Sequence, residues 1–491
     1  MEINNVTEIT VKKELTKSQI VAETRLTVQG GATKVLGINP SLTLSVTECF
    51  SGEVRVSGSE TLDLMYLSGE EVSGGSVSVD FTDRIECKAS ASTKAIVSGR
   101  VLDTDIVSID GDGIRLASVI EITVYEMCAF ALPSAELPQG VYGDERRLKC
   151  SSVTSHFSEK AAFEGEEIFK AENLICVGGR VVISGSEAAL DTVIVSGEII
   201  IDASGRSGDN IVCGVIYIPF TEEISARSAR SGDTVRICAR SCRISSIESG
   251  EGFSFAATVV FDGEVYCKSS VDLLSDVFSV TNAVNKERQT VSLNEVKSVS
   301  FFHEKVDGSV ILPEGDSADT ILALIGFEFI SENAYPFGGK VMLDGAVSGN
   351  IVYYDADAAA KKTVSALIPV KLTVNAEADD GDIIEISGNV GKIVLKIRRN
   401  GEIDIKADLS LQITVRKNLS AETVSAITLG ENLSEQSGAI SVYISGEGES
   451  LYNCAKALCA SPQVISEQNP SLEFPLKRGQ RVMVYRIGGD K

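Results

Sequence analysis

Polar and apolar residues alternate strictly along the stretch that follows Glu402. Asn400-Gly401 directly precedes this stretch, and because the dipeptide favours a type I′ turn, Lys392 to Ile397 is predicted to pair back as the preceding strand. A period of two predicts a β-strand with one buried and one solvated face. The apolar positions are Ile403, Ile405, Ala407, Leu409, Leu411, Ile413 and Val415.

The same hairpin pattern occurs twice earlier in the chain. In both copies a short turn containing two glycines separates two alternating segments. The copies are Thr104 to Ile109 with Ile114 to Tyr125, around Asp110-Gly111-Asp112-Gly113, and Cys242 to Ile247 with Phe253 to Tyr266, around Ser249-Gly250-Glu251-Gly252.

A second landmark keeps register with these hairpins. The segment ending at Gly58 precedes Phe81 by 23 positions, and the similar segment ending at Gly197 precedes Phe220 by the same 23. From each phenylalanine to the turn glycine of its hairpin is 32 positions. A looser third copy has Gly345, Val370 and Gly401 at intervals of 25 and 31. The chain is therefore predicted to contain three copies of one β-domain, each long enough to fold alone.

The predicted fold class is mainly β, with three antiparallel repeats that resemble a β-sandwich or an open barrel. Ile218-Pro219 and Ile368-Pro369 favour edge strands, since proline cannot donate to a ladder. The predicted organisation is a divergent first repeat at 1–132, a linker at 133–157, a second repeat at 158–268, a connector at 269–289, a third repeat at 290–418, a linker at 419–438 and a separate domain at 439–487.

The connector between the second and third repeats is compatible with two structures. Val271, Leu273, Leu274, Val277 and Phe278 have spacing that suits one helix, and a strand that crosses to the next repeat fits as well.

The tail changes period and predicts a small βααβ domain. Ile440 to Ile444 is a short strand, and Ser450 is a candidate N-cap for a helix with one apolar face. Ser461-Pro462 has the capping signature of a second helix, Gln463 to Gln468, and Arg481 to Tyr485 closes the domain as a strand.

Charge and composition limit the partners. The chain has 45 Lys+Arg against 69 Asp+Glu, a net charge of −24, which disfavours binding to nucleic acid and to anionic lipid. A simpler explanation is that the acidic surface keeps a β-rich protein soluble. Met1 to Asn5 lacks the basic start of a signal peptide, and Ile321 to Ile330 is too short an apolar stretch to span a membrane. Eleven scattered cysteines suit a reducing compartment, so we expect a cytoplasmic protein.

Candidate catalytic and metal-binding residues are sparse, and we expect no enzyme and no cofactor. His156 and His303 are the two histidines, so a Ser-His-Asp or Cys-His arrangement would depend on one of them. Asp110 and Asp112 could contribute to a calcium site, but a hairpin turn explains the same residues with fewer assumptions.

The tail also contains a recognisable series of residues. They are Val442-Tyr443, Gly448-Glu449-Ser450-Leu451-Tyr452, Ala455, Ile465, Asn469-Pro470, Leu476 and Gly479-Gln480. In this series and in its order of elements the tail resembles the LysM module. That resemblance implies recognition by the loops that flank the helices, which in LysM modules commonly bind N-acetylglucosamine polymers. The candidate binding residues are Gly448, Glu449, Ser450, Leu451, Asn469 and Pro470.

Three such β-domains followed by a LysM-like tail resemble the SPOCS-domain family of SipL-like spore coat morphogenetic proteins. The resemblance is clearest in Val193 to Tyr266 and in the tail around Asn469-Pro470. It implies a structural scaffold in the mother-cell cytoplasm that is recruited to the forespore surface and ties the coat to its basement layer. It also implies that the tail contacts the coat-basement ATPase. Other coat proteins are further expected partners, and an oligomer is compatible with this role. The alternative is a protein that binds peptidoglycan through the tail.

Overall fold

The computed structural model describes residues 6–28, 30–133, 137–398, 401–433 and 440–486, and over these ranges the chain is mainly β. Eighteen strands form three successive groups of six. The first group is β1 (Val6–Thr27), β2 (Lys34–Phe50), β3 (Glu53–Ser68), β4 (Glu71–Glu86), β5 (Ala95–Asp110) and β6 (Gly113–Pro133). The second is β7 (Val141–Glu164), β8 (Asn173–Ala189), β9 (Thr192–Ser207), β10 (Asn210–Ser225), β11 (Thr234–Ser249) and β12 (Gly252–Ser279). The third is β13 (Asn282–Ile311), β14 (Thr320–Phe337), β15 (Lys340–Asp355), β16 (Ala360–Val374), β17 (Ile383–Arg398) and β18 (Glu402–Asn432).

Each group is a sandwich of two three-stranded antiparallel sheets with the same topology. The first strand of a group pairs with the sixth, which also pairs with the fifth, and strands two to four form a meander. Apolar side chains from both sheets fill the space between them, as Val56 and Ile122 do in the first repeat. The sandwich prediction is confirmed, and the proline-containing β10 and β16 are edge strands of their sheets, as Pro219 and Pro369 indicated.

The spacing that revealed the repeats corresponds to cross-strand pairs. Gly58 lies directly opposite Phe81, and Gly197 lies directly opposite Phe220. A Cβ atom on Gly58 would fall 2.2 Å from the ring of Phe81, and one on Gly197 would fall 2.8 Å from the ring of Phe220. Each glycine therefore makes room for an aromatic ring over the neighbouring strand, and this steric need explains why glycine and phenylalanine recur at a fixed interval.

The three predicted hairpins are present as β5–β6, β11–β12 and β17–β18. Gly401 has a φ of 73°, a left-handed conformation that suits a tight turn, while Asn400 lies outside the described residues. A β-bulge interrupts the first strand of every repeat at the same place, between Glu14 and Thr16, opposite Val265 and Tyr266, and between Val296 and Ser298. The repeats thus share irregular features as well as strand order.

The repeats pack against one another in a cycle, instead of lying apart as separately folded domains. β2 packs on the meander sheet of the third repeat, β8 on that of the first, and β14 on that of the second. Leu36, Ile175 and Leu322 come from the three repeats and meet in one of the shared apolar clusters. A pseudo-threefold arrangement follows, in which each repeat buries apolar surface on both of the others.

The predicted linkers are largely strand. Residues 141–157 belong to β7, residues 269–279 and 282–289 belong to β12 and β13, and residues 419–432 belong to β18, while 434–438 lie outside the described residues. For the connector the strand alternative is confirmed. Residues 141–157 and 419–432, expected as linkers, are strand as well, because these strands extend beyond their own sandwich into the clusters between repeats, where Val271 and Leu273 are buried. A bulge between Leu274 and Asp276 shifts the alternation by one residue, and this produced the apparent helical spacing.

The tail has the predicted βααβ order. It consists of β19 (Ile440–Ile444), α1 (Leu451–Ala457), α2 (Pro462–Gln468) and β20 (Arg481–Tyr485). The hydroxyl of Ser450 accepts a hydrogen bond from the Asn453 N–H, and that of Ser461 accepts one from the Val464 N–H, so both predicted N-caps are confirmed.

Helix α1 docks the tail on the end of the second repeat. The ring of Tyr452 meets Phe278 edge-to-face with centroids 5.3 Å apart, and Phe278 in turn contacts Tyr142. Lys456 forms an ion pair with Asp276, which also pairs with Lys286. The tail is therefore held by aromatic packing and an ion pair against the three repeats, which we call the body.

Candidate partner-binding site

The two loops that flank the helices of the tail are joined by backbone hydrogen bonds. The Gly448 N–H donates to the Leu476 carbonyl over 2.8 Å, and the Leu476 N–H donates to the Glu449 carbonyl over 2.9 Å. Ser445 is bonded in the same way to Gly479 and Gln480. The predicted binding loops therefore lie side by side, and much of their backbone is already hydrogen-bonded within the tail.

The four predicted binding residues before and at the start of α1 have mixed roles. Gly448 is exposed and has a φ of 77°, so it forms a turn that a larger residue would strain. Glu449 accepts a hydrogen bond of 2.8 Å from the Tyr443 hydroxyl. Ser450 caps α1, and Leu451 is half-buried against the core of the tail. Gly448 leaves its surface free, and the other three contribute to the fold.

The two predicted binding residues after α2 differ from each other. Pro470 is exposed, whereas Asn469 is buried and its side chain is fully engaged. The Asn469 amide donates to the carbonyls of Ile465 and Met483 over 2.9 and 2.8 Å, and accepts from the Met483 N–H over 2.9 Å. Asn469 thus fastens the end of α2 to β20, and both hydrogens of its buried amide are used within the tail. In the described structure no hydrogen bond links Asn469 or Pro470 to Gly448, Glu449, Ser450 or Leu451.

An apolar surface that the sequence interpretation missed covers the outer face of the β19–β20 ribbon. Register places Ile440 opposite Tyr485 and Val442 opposite Met483, with Arg481 opposite Ile444. Ile440, Val442 and Ile444 are 58%, 54% and 65% exposed. We call these six residues the ribbon face. The alternation of β19 was visible in the sequence, but alternation alone does not tell which face turns inward, and in this ribbon Ser441 and Tyr443 face the helices.

The tail also differs from the body in charge. Residues 440–486 carry five Lys and Arg against four Asp and Glu, a net charge of +1, so the rest of the chain carries −25 of the total of −24. Lys477, Arg478 and Arg481 are exposed, and none of their side chains forms an ion pair with a described residue. The ribbon face is therefore bordered at one end by free positive charge.

A buried polar site lies where the three repeats meet. Lys12 of β1 and Arg236 of β11 both pair with the buried carboxylate of Glu264, and Arg236 also reaches Glu385 of β17. Burial opposes ionisation of Glu264, but the charges of Lys12 and Arg236 outweigh it and lower its pKa to about 2. The adjoining cavity measures about 50 Å³ and includes Tyr125 and Arg416 in its lining. This network joins one residue or more from every repeat and stabilises their arrangement.

The two histidines lie in different repeats, His156 on β7 and His303 on β13. His156 is half-buried, with Nε2 3.7 Å from the Asp262 carboxylate, which is itself paired with Arg240. Burial lowers the pKa of His156, partly offset by Asp262. Among the described residues, no serine or cysteine forms a hydrogen bond with Nε2 of His156. His303 lies on β13 of the third repeat.

The Asp110 to Gly113 segment is a hairpin turn that joins β5 to β6. The carboxylate of Asp112 accepts a hydrogen bond of 2.5 Å from the Arg25 guanidinium. Within the described ranges, no group of three or more His, Cys, Asp or Glu side chains is arranged to hold a metal ion. The eleven cysteines are free thiols.

The helices of the described structure are all too short or too polar to cross a bilayer. Comparison of the chain with protein-family models, with curated proteins and with solved structures yields no match.

Proposed function

We propose that the chain is a non-enzymatic interaction scaffold of spore coat assembly, whose tail attaches it to a protein partner in the layer beneath the coat. The observation that carries the proposal is the ribbon face. Ile440, Val442 and Ile444 expose apolar surface together on one small module, and clustered apolar surface of this kind is typical of protein–protein contact sites.

The architecture of the body supports a scaffold. Three sandwiches share apolar clusters and a buried ion network, so the body should present fixed surfaces. Several sites on one rigid chain raise the effective concentration of each for its partner, and weak contacts then add up to stable attachment. The docking of Tyr452 and Lys456 holds the tail in a defined orientation relative to those surfaces.

The location and the partner follow from the family resemblance. They are the mother-cell cytoplasm, recruitment to the forespore surface, and the coat-basement ATPase, with other coat proteins bound by the body. The ribbon face suits a protein partner better than a sugar polymer, because Ile440, Val442 and Ile444 give it a continuous aliphatic surface.

The test uses the purified full-length chain and a version that ends at Leu433 as baits in lysate of sporulating cells. We expect the full chain alone to retain the ATPase. A Val442→Asp variant should lose it, because a charge in the centre of the ribbon face opposes burial. Leu190→Asp is the matched control, since Leu190 is 78% exposed on the second repeat. Retention of the ATPase by the shortened chain would contradict the proposal.

Peptidoglycan binding is the alternative function. It is favoured by the side-by-side arrangement of the two loops that flank the tail helices, with Gly448 exposed and next to Leu476. Sedimentation with insoluble peptidoglycan tests it: the alternative requires the full chain to co-sediment and the chain that ends at Leu433 to remain in solution.

A further inference from the structure

One edge of the tail ribbon is closed by side chains. The amide of Asn469 bonds both the N–H and the carbonyl of Met483, and the amide of Gln468 does the same for Tyr485, accepting over 2.7 Å and donating over 3.1 Å. Two consecutive side-chain amides therefore occupy the positions that a neighbouring strand would take beside β20. Another chain cannot add to this edge without displacing them.

The other edge of the ribbon is open. Because the backbone groups of Met483 and Tyr485 point away from β19, their partners Val442 and Ile440 are non-hydrogen-bonded pairs of the ladder. The N–H and carbonyl groups of Ile440, Val442 and Ile444 then point away from β20 as well. β19 pairs with β20 alone, and in the described structure no other residue bonds these groups. Natural sheets usually protect such an edge.

The size of the open edge decides what fits it. β19 has five residues and is about 17 Å long, so pairing along this edge alone would bury far less surface than the roughly 800 Å² per partner of a stable dimer. A second copy would also bring a second net charge of −24. A short extended peptide needs only main-chain hydrogen bonds and side-chain contacts on one face, and this edge supplies both.

The surrounding charges indicate the composition of the peptide. Its alternate side chains would extend the ribbon face beside Ile440, Val442 and Ile444, so apolar residues are required at every second position. Arg481, opposite Ile444, and the nearby Lys477 and Arg478 have no ion-pair partners among the described residues and favour acidic residues at one end.

From this geometry we infer that the tail binds an extended, acidic segment of its protein partner as a third strand along β19. This inference rests on the proposed function and specifies the class of partner. It places recognition on the backbone of Ile440 to Ile444, away from the helix-flanking loops.

The test selects peptides from a displayed library of random dodecapeptides on the immobilised full-length chain. We expect enrichment of sequences that alternate apolar residues and carry acidic ones at one end. Val442→Pro removes the outward N–H, and an edge strand tolerates proline at such a position. It should weaken binding of a selected peptide at least tenfold by fluorescence anisotropy. Val442→Thr, which keeps both the N–H and the shape, should weaken it less than threefold.

Unchanged binding by a folded Val442→Pro chain would overturn the inference. Should that variant unfold, amide hydrogen exchange of the wild-type chain replaces it: the bound peptide should slow exchange at Val442 and Ile444 at least tenfold, and no slowing would equally overturn the inference. One outcome of the capture experiment is that the Val442→Pro chain still retains the ATPase while a chain without residues 440–486 does not. That result would show that strand addition is wrong and that the proposed function stands. If removal of the tail changes nothing in the capture experiment, the proposed function fails.

Discussion

Glu60 occupies in the first repeat the position that Ile199 occupies in the second. Each lies two residues after the glycine of its Gly–Phe pair, and each is completely buried between the sheets of its sandwich. Neither oxygen of Glu60 has a hydrogen-bond partner, and Ser118 on the facing sheet replaces the Ala257 of the second repeat. The first repeat thus has a polar pair where the second has an apolar one.

Replacing Glu60 by isoleucine should stabilise the protein. An unsatisfied buried polar group costs about 1–3 kcal/mol, and Ile199 shows that isoleucine fits the equivalent position. Burial raises the pKa of Glu60, and the nearby Ser118 hydroxyl lowers the pKa by a smaller amount. Because the folded-state pKa lies above the unfolded value, ionisation destabilises the folded state. The gain in the free energy of unfolding should grow as pH rises through the raised pKa and shrink below about pH 4.

Urea unfolding at several pH values measures this difference. Glu60→Gln is the control: it removes the charge and leaves a polar group, so it should reproduce the pH dependence with a smaller gain. A Glu60→Ile chain less stable than wild type at pH 7.5 would show that the carboxylate has a stabilising partner.

Replacing Glu264 by glutamine should destabilise the junction of the repeats. The change leaves Lys12 and Arg236 without their shared carboxylate, and breaking a buried pair of this kind costs about 3–5 kcal/mol. The pKa of Glu264 is lowered to about 2, so its stabilisation is present above the unfolded value near 4 and is lost as pH falls towards 2. The variant should therefore differ from wild type strongly at pH 7 and weakly at pH 2.

Glu121→Gln is the comparison for Glu264→Gln, since Glu121 pairs with Arg100 at the surface and its loss should cost less than about 1 kcal/mol. Chemical denaturation at the two pH values checks both variants. Equal effects of the two substitutions at pH 7 would contradict the role of Glu264.

The three repeats should unfold in a single calorimetric transition. Arg240 of the second repeat bonds the carbonyls of Leu44 and Val97 in the first and pairs with Asp262. Arg240→Ala should lower the stability of the whole body by about 2–3 kcal/mol, because it leaves Asp262 buried without its ion pair. Three separate transitions, with only one shifted by Arg240→Ala, would instead show that the repeats fold independently.

Replacing Phe278 by alanine should loosen the tail without unfolding the body. Phe278 is the main aromatic contact of Tyr452, and loss of a buried phenylalanine costs about 3–5 kcal/mol. Amide hydrogen exchange in α1 should become at least tenfold faster. Lys456→Ala is the control, since Lys456 is half-exposed and its pair with Asp276 should contribute about 1 kcal/mol or less. Equal acceleration in both variants would mean that the ion pair of Lys456 holds the tail as strongly as the ring packing does, which contradicts the prediction.

The internal repeats and the order of elements could be predicted because their causes are local. Gly58 and Phe81 are in direct contact, hairpin turns require glycine, and Ser450 and Ser461 cap helices within three residues. The cyclic packing could not be predicted in this way. It depends on pairs such as Leu36 and Leu322, which are far apart in sequence. The bulge beside Asp276 gave the connecting strand a spacing that suited a helix equally well.

The candidate site was predicted at the level of the module and not of the residue. Asn469 was selected as a binding residue, and its polarity gave no indication that both ends of its amide are used inside the tail. Conversely, Val442 belonged to a strand whose alternation looked like that of any buried face. Only the exposed fractions of Ile440, Val442 and Ile444 show which side of β19 faces solvent.

The amides of Gln468 and Asn469 also set a limit on stoichiometry. Fibril growth by strand addition requires a template with two available sides, so that each newcomer presents an edge to the next copy of the same module. With β20 closed, a strand recruited beside β19 completes a three-stranded sheet that has one side permanently terminated. In the proposed mode of binding, the tail connects one chain to one partner segment and does not seed a continuous fibre of its own kind.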